Sequence, residues 1–160
     1  MESRRNIWIG AGLIVALAII GFFYLTAQPD QAKDEAEVKA LVVEFGAYLK
    51  SISLQEPSDT LKGDIQQVYG PYVTDALLQS WRADPTHAPG RQTSSPWPDR
   101  IEVSSIAPQG QGYVASGDIV MMTSSGEAGR VPVVLQVIQQ NGDWRIAVYQ
   151  EGQSTSKSVR

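Results

Sequence analysis

The sequence predicts an α+β domain carried on a single membrane-spanning helix. The helical layer, about three helices, packs on a curved four-stranded antiparallel sheet. Three observations predict this. Residues 7–25, IWIGAGLIVALAIIGFFYL, run nineteen positions without a charge. From 34 to 83 apolar residues recur at three- and four-residue steps, the period of a helix with one buried face. From 100 onward apolar and polar residues alternate in four runs, the last two joined by Asn141-Gly142.

As a helix, the apolar run is roughly 28 Å long, close to the ~30 Å hydrocarbon core of a bilayer. Arg4 and Arg5 precede it, and the ten residues after it carry three acids against one lysine. The positive-inside rule therefore places residues 1–6 in the cytoplasm and everything after the span outside it. Trp8 and Tyr24 suit the two interfaces. The rival reading is a cleaved signal peptide, whose apolar region is shorter and ends in small residues. Here Leu25 stands where a small residue should precede Ala27 by two. Gly12 and Ala16 could pair two such helices or be ordinary small residues of a membrane helix.

A short linker, 26–33, contains Pro29 and leads into a domain expected over 34–151. Its first helix has an acidic first turn (Asp34, Glu35, Glu37) and a stripe of Val38, Leu41, Val42, Phe45, Tyr48, Leu49 and Ile52. A second short helix through Leu61, Ile65 and Val68 stops at Gly70-Pro71. Thr74 caps a third over 75–83, with Ala76, Leu77 and Trp81 turned inward. Residues 84–99 hold four prolines and no periodicity, which predicts a loop. That loop carries His87, Arg91 and Trp97, and Trp97 is either a ligand-binding aromatic or a plug at the edge of the core.

Strands are expected over 100–107, 112–123, 130–140 and 143–150, with turns at 108–110, 124–129 and Asn141-Gly142. Asn-Gly suits a two-residue type I′ turn, in which both central residues take positive φ. Counting outward, Gln139 faces Trp144, Val137 faces Ile146, Leu135 faces Val148 and Val133 faces Gln150. The opposite face then carries Val134, Gln136, Ile138, Arg145, Ala147 and Tyr149, more apolar than a solvated face needs. Val134, Ile138 and Tyr149 are therefore the expected partner-contact residues. The register of the preceding hairpin leaves two orientations for Asp118. In one it lies inside beside Leu135, where desolvation would raise its pKa and make it a ligand-binding acid or general base. In the other, which buries more apolar surface, Tyr113, Ala115, Ile119 and Met121 point inward and Asp118 points out. The tail 152–160 is small and polar, and disorder is expected there.

Composition excludes several functions. The net charge is −4, and without Glu2, Arg4 and Arg5 the remainder holds 11 basic against 16 acidic residues, with no electrostatic footprint for nucleic acid. One histidine and no cysteine cannot build the usual zinc sets, and no calcium-loop motif is present, so neither metal nor cofactor is expected. Gly110-Gln111-Gly112 lacks the third glycine of a dinucleotide site. Ser154-Thr155-Ser156-Lys157 has the spacing of a penicillin-binding nucleophile, but no helix positions it.

The order of elements, with the run 72–81 (YVTDALLQSW) and the ending Asn141-Gly142-Asp143-Trp144-Arg145-Ile146, resembles the nuclear transport factor 2-like (cystatin-like) cone over roughly 34–150. With an amino-terminal anchor, the layout resembles the bitopic assembly components of bacterial type IV secretion and conjugation machines, and small anchored domains of Gram-positive envelopes. The resemblance implies a bacterial plasma membrane and a scaffolding or partner-binding role. The extra strand that many members place between their helices has no counterpart in the pattern. Members that are enzymes use an acid and a tyrosine inside the cone, and only Asp118 could play that part here. No catalytic residue is expected. The sequence thus leads to a non-enzymatic protein-interaction or assembly domain that touches lipid through 7–25 and binds a protein partner or itself. A small-ligand or envelope-polymer binder using Trp97 and the cone mouth is the alternative.

Overall fold

A computed structural model describes residues 30–152 and 155–156. The apolar run 7–25 lies outside the described residues, as does the tail 1–6. Among the described residues no helix is long and apolar enough to cross a membrane. The α+β domain lies within the compact unit that begins at Glu35.

Helix α1 covers 30–48 among the described residues, so the last four residues of the expected linker are already helical. Val38, Val42 and Phe45 fall on one face and are fully buried, as are Leu49 and Ile52 just beyond the helix. The helix tightens into a 3-10 turn, Leu49–Ser51, before Ile52 turns extended. Helix α2, Ser58–Tyr69, buries Leu61, Ile65 and Tyr69 at four-residue steps and ends at Gly70, whose N–H donates to the Gln66 carbonyl. Helix α3, Asp75–Ala83, starts where Thr74 accepts the Leu77 N–H at 3.3 Å. Its buried residues are Leu78 and Trp81, while Leu77 is only partly buried and Ala76 is exposed, against the expectation. Positions 76 and 81 are about 140° apart on a helix, too far for one narrow face, and the bulkier Trp81 sets the phase.

The stretch 84–96 is ordered by three devices. Asp84 caps a 3-10 turn, Pro85–His87, by accepting the Thr86 N–H at 3.1 Å. The Tyr69 hydroxyl donates to the Pro89 carbonyl at 2.7 Å in the interior. Arg91 exchanges backbone hydrogen bonds with the chain after α1, donating to Ile52 and accepting from Leu54. The next strand, β1, then begins at Trp97, three residues earlier than expected, and runs to Gln109.

Strands β1, β2 (Gly112–Thr123), β3 (Gly126–Gln140) and β4 (Asp143–Glu151) pair antiparallel in that order. The turn between β2 and β3 is only Ser124-Ser125, because β3 starts at Gly126 (φ 128°) rather than at 130. Asn141 and Gly142 take φ of 57° and 90°, the positive pair that the type I′ reading requires. Within the tail 152–160 a two-residue strand, β5 (Thr155–Ser156), pairs with Arg130 and Gly129. Between α2 and α3, Val73 makes one parallel bridge to Ile146 and covers the middle of the free edge of β4.

Three helices thus pack on a four-stranded antiparallel sheet, an α+β arrangement. One core joins Val42, Phe45, Leu61, Ile65, Tyr69 and Trp81 of the helices to Ile101, Tyr113, Leu135, Val137 and Ile146 of the sheet. A Cβ on Gly46 would stand 2.6 Å from the Ile101 backbone nitrogen, so the absent side chain is what lets α1 lie directly on β1.

Candidate functional site

Strand alternation separates two faces. Tyr113, Ala115, Ile119, Val133, Leu135, Val137 and Ile146 are buried against the helices. Their neighbours along the strands, including Val114, Ser116, Asp118, Val120, Val134, Gln136 and Ile138, therefore belong to the outer face.

The half of that face near the Asn141-Gly142 turn is open and mostly uncharged. Its rows are Ser116 with Val134, Val114 with Gln136 and Val148, and Ile138 with Arg145. Val134 is 41% and Ile138 40% exposed, high values for large apolar side chains. Arg145, at its rim, is occupied by Asp143 at 3.1 Å.

The other half is closed by charge. Glu102 on β1 accepts from Arg100 at 2.6 Å and, reaching past β2, from Arg130 on β3 at 2.6 Å. Glu127 binds the other side of Arg130 at 2.9 Å, and Asp99 joins Arg100 to Lys50. Val120 pairs with Arg100 on one side and Arg130 on the other and is fully buried there, outside the main core. The guanidinium groups hold the Glu102 carboxyl below its ordinary range, Arg130 more than Arg100, and the hydrogen bond from Lys50 does most to lower Asp99. Arg130 is raised above its ordinary value by Glu127 first and Glu102 second.

Of the expected partner-contact residues, Val134 and Ile138 share the open half and Tyr149 does not. A β-bulge at Ala147 inserts one residue, so Gln136 pairs with Val148, Leu135 with Tyr149 and Val133 with Glu151. Every residue of β4 beyond Ala147 changes face. Tyr149 is thereby turned into the core, with ring centroids 5.9 Å from both Phe45 and Trp81, and its hydroxyl donates to Glu151. Burial, followed by the Glu151 charge, pushes its pKa well up. Gln150 takes the place opposite Val134 that the unbulged register assigned to Tyr149, and Val148 turns outward opposite Gln136.

The two expected ligand-binding residues are not brought together. Asp118 points away from the core, between Glu102 and Pro132, because Ile119 and Ala115 take the inner face. The orientation that buries more apolar surface is the one adopted, and Asp118 is not an interior base. Trp97 lies opposite Met122, one step from the Pro98–Met121 pair that lines a cavity, and so belongs to the other face. It is half-buried and does not line that cavity.

The cavity, about 360 Å³, sits at the rim of the domain. Its floor is Ile119, Met121 and Val131, its far wall Pro96 and Pro98, and Gln92, Thr93 and Glu151 supply polar groups. A smaller one of about 190 Å³, bordered by His87 and Tyr149, shares Gly90, Gln92 and Glu151 with it. The interior of the domain is filled instead by Phe45, Tyr69, Trp81 and Tyr149, whose ring centroids lie 5.1 to 6.4 Å apart. Burial keeps the Tyr69 hydroxyl protonated. His87 pairs with Asp84 at 3.0 Å, but both are largely exposed and serve the cap of a one-turn helix. Among the described residues no group of three His, Cys, Asp or Glu could hold a metal ion.

The sequence reading missed the ion-pair lattice, Val148 and the rim cavity. Alternation of Arg100 and Glu102 was a signal for the first, but pairing with Arg130 depends on register. Compared with family models, with curated proteins and with solved structures, the chain finds no match.

Proposed function

We propose that this chain is a non-enzymatic protein-interaction domain, tethered by residues 7–25 to a bacterial plasma membrane and displayed on its outer side. The observation that carries the reading is the open half of the outer face, where Val134 and Ile138 stand exposed in a mostly uncharged patch with the Arg145–Asp143 pair at its rim. Apolar side chains of this size on a smooth sheet surface gain by covering one another with a second protein surface. The proposed occupant is a protein anchored in the same membrane. Tethering raises the effective concentration of such a partner, so a small patch suffices. The nuclear transport factor 2-like cone and the assembly role it implies belong to the same proposal, supported by the order of three helices and a meander.

Ile138→Asp tests it. In the full chain, photo-crosslinking from a neighbouring position such as Gln136 should capture a membrane partner, and Ile138→Asp should abolish that capture without changing the melting temperature. Unchanged capture would overturn the assignment. Loss of a crosslinked homodimer instead would replace the foreign partner with a second copy.

A small-ligand or polymer binder is the second reading, favoured by the rim cavity and its apolar floor. The ring contacts among Phe45, Tyr69, Trp81 and Tyr149 favour the interaction reading over it.

A further inference from the structure

Strand β3 is longer than the strands that cover its far edge. It spans Gly126–Gln140, and β4 pairs with it only from Val133 onward. The ladder breaks at Pro132. Its carbonyl accepts the Gly152 N–H at 2.7 Å, which shows that this residue's polar atoms face the β4 side. In an extended strand the N–H and C=O of one residue point the same way, so a non-proline residue would donate there and Pro132 has nothing to donate. Past the break, among the described residues, only Gly129 and Arg130 are paired on this edge, with Ser156 and Thr155 of β5. Among the described residues, the stretch from Gly126 to Val131 is thus a strand edge paired only with Thr155 and Ser156, and unpaired edges are templates for added strands.

A second feature lies beside it. The rim cavity is bordered by Ala128, Gly129, Arg130 and Val131 of this same stretch, and its apolar floor is on the core side. A strand added to β3 here sends alternate side chains toward that floor. The sequence between 153 and 160 offers one apolar residue, Val159. On the opposite side the Arg130 side chain is tied to Glu127 and Glu102, which leaves small neutral side chains as the fit.

We infer that the edge of β3 from Gly126 to Val131 is an acceptor site for an extended peptide of a partner protein, added antiparallel to β3. The peptide alternates apolar side chains, seated in the rim cavity, with small polar ones facing out. The chain's own β5 is its weak intramolecular competitor. Backbone hydrogen bonds supply the affinity and the cavity the selectivity. This site is separate from the Val134–Ile138 patch and does not depend on it.

The probe is a short fluorescein-labelled peptide of alternating Thr and Val, with binding to the full chain read by anisotropy. In the double variant Thr155→Pro, Ser156→Pro, one of the two lost N–H groups must face β3, because successive N–H groups point to opposite sides. That variant should bind the peptide about tenfold more tightly, because a competitor in cis has been released. Ala128→Trp, at an exposed position lining the cavity, should lower affinity about tenfold by occupying the space for the peptide side chain. The same peptide with alternate amides N-methylated should not bind. Equal affinity for parent and double-proline chains, indifference to Ala128→Trp, binding of the methylated peptide, or no binding at all would each overturn the inference. A full chain that is dimeric and becomes monomeric in the double-proline variant would assign the edge to the tail of a second copy and remove the foreign peptide.

Discussion

Around Arg100, Val120 and Arg130 the outer face of the sheet is roofed by ion pairs, whereas around Ser116, Val134 and Ile138 the same strands leave apolar side chains in the open. Both regions obey the same alternation and belong to the same sheet. They differ in what stands on the neighbouring strands. In the first, Glu102 reaches two arginines on either side of β2, and Val120, which pairs with both of them, is fully buried. In the second, the cross-strand neighbours of Val134 are Ser116 and Gln150, too short or too neutral to fold over it. A surface is closed by the length and charge of its neighbours, and apolar content alone does not say whether it is a core or an interface.

The largest expected effect comes from the residue whose face was read incorrectly. Tyr149→Ala should lower unfolding stability by about 3 kcal/mol, as expected for removing a large aromatic from between Phe45 and Trp81. A loss below about 0.5 kcal/mol in urea denaturation, the size expected of a surface site, would place Tyr149 back on the outer face. Next, Val120→Ala should cost about 2 kcal/mol and Val134→Ala less than about 0.5 kcal/mol. Equal losses would erase the contrast between the roofed and the open halves.

The smallest effect is electrostatic. Glu102 and Asp99 have folded pKa values below their unfolded ones, so each contributes stability that is fully present above the unfolded value and is lost as pH falls through the folded one. The window lies below about pH 4. Glu102→Gln should flatten the acid side of the stability profile there, and added salt should flatten it in the parent chain. An acid limb identical in parent and variant would show that the lattice contributes nothing to folding.

Much of the fold was legible in the sequence because it rests on short-range rules. The stripe from Val38 to Ile52, the Thr74 cap and the positive φ at Asn141 and Gly142 depend on residues within a few positions of one another. The candidate site was legible only in part. Val134 and Ile138 lie close to the Asn-Gly turn, and register counted from the turn is still correct at Val137 and Ile146. Beyond Ala147 one inserted residue reverses every side chain, and so Tyr149 was assigned to the wrong face. Trp97 was read as a loop residue because four prolines mask the start of β1, although proline is tolerated on an edge strand.

Taken alone, the amino-acid sequence determined that an uncharged nineteen-residue run precedes a domain of three helices and four strands, and that Tyr113, Ala115 and Ile119 share one face. It did so because hydrophobic period and turn chemistry are local. Tertiary structure alone decided where the bulges fall, that Asp118 stands beside Glu102, that Glu102 joins arginines from two strands, and that the edge of β3 outlasts β4 at Pro132. Each of these depends on which residues of distant strands meet, and that is settled by the packing of the whole sheet against the helices.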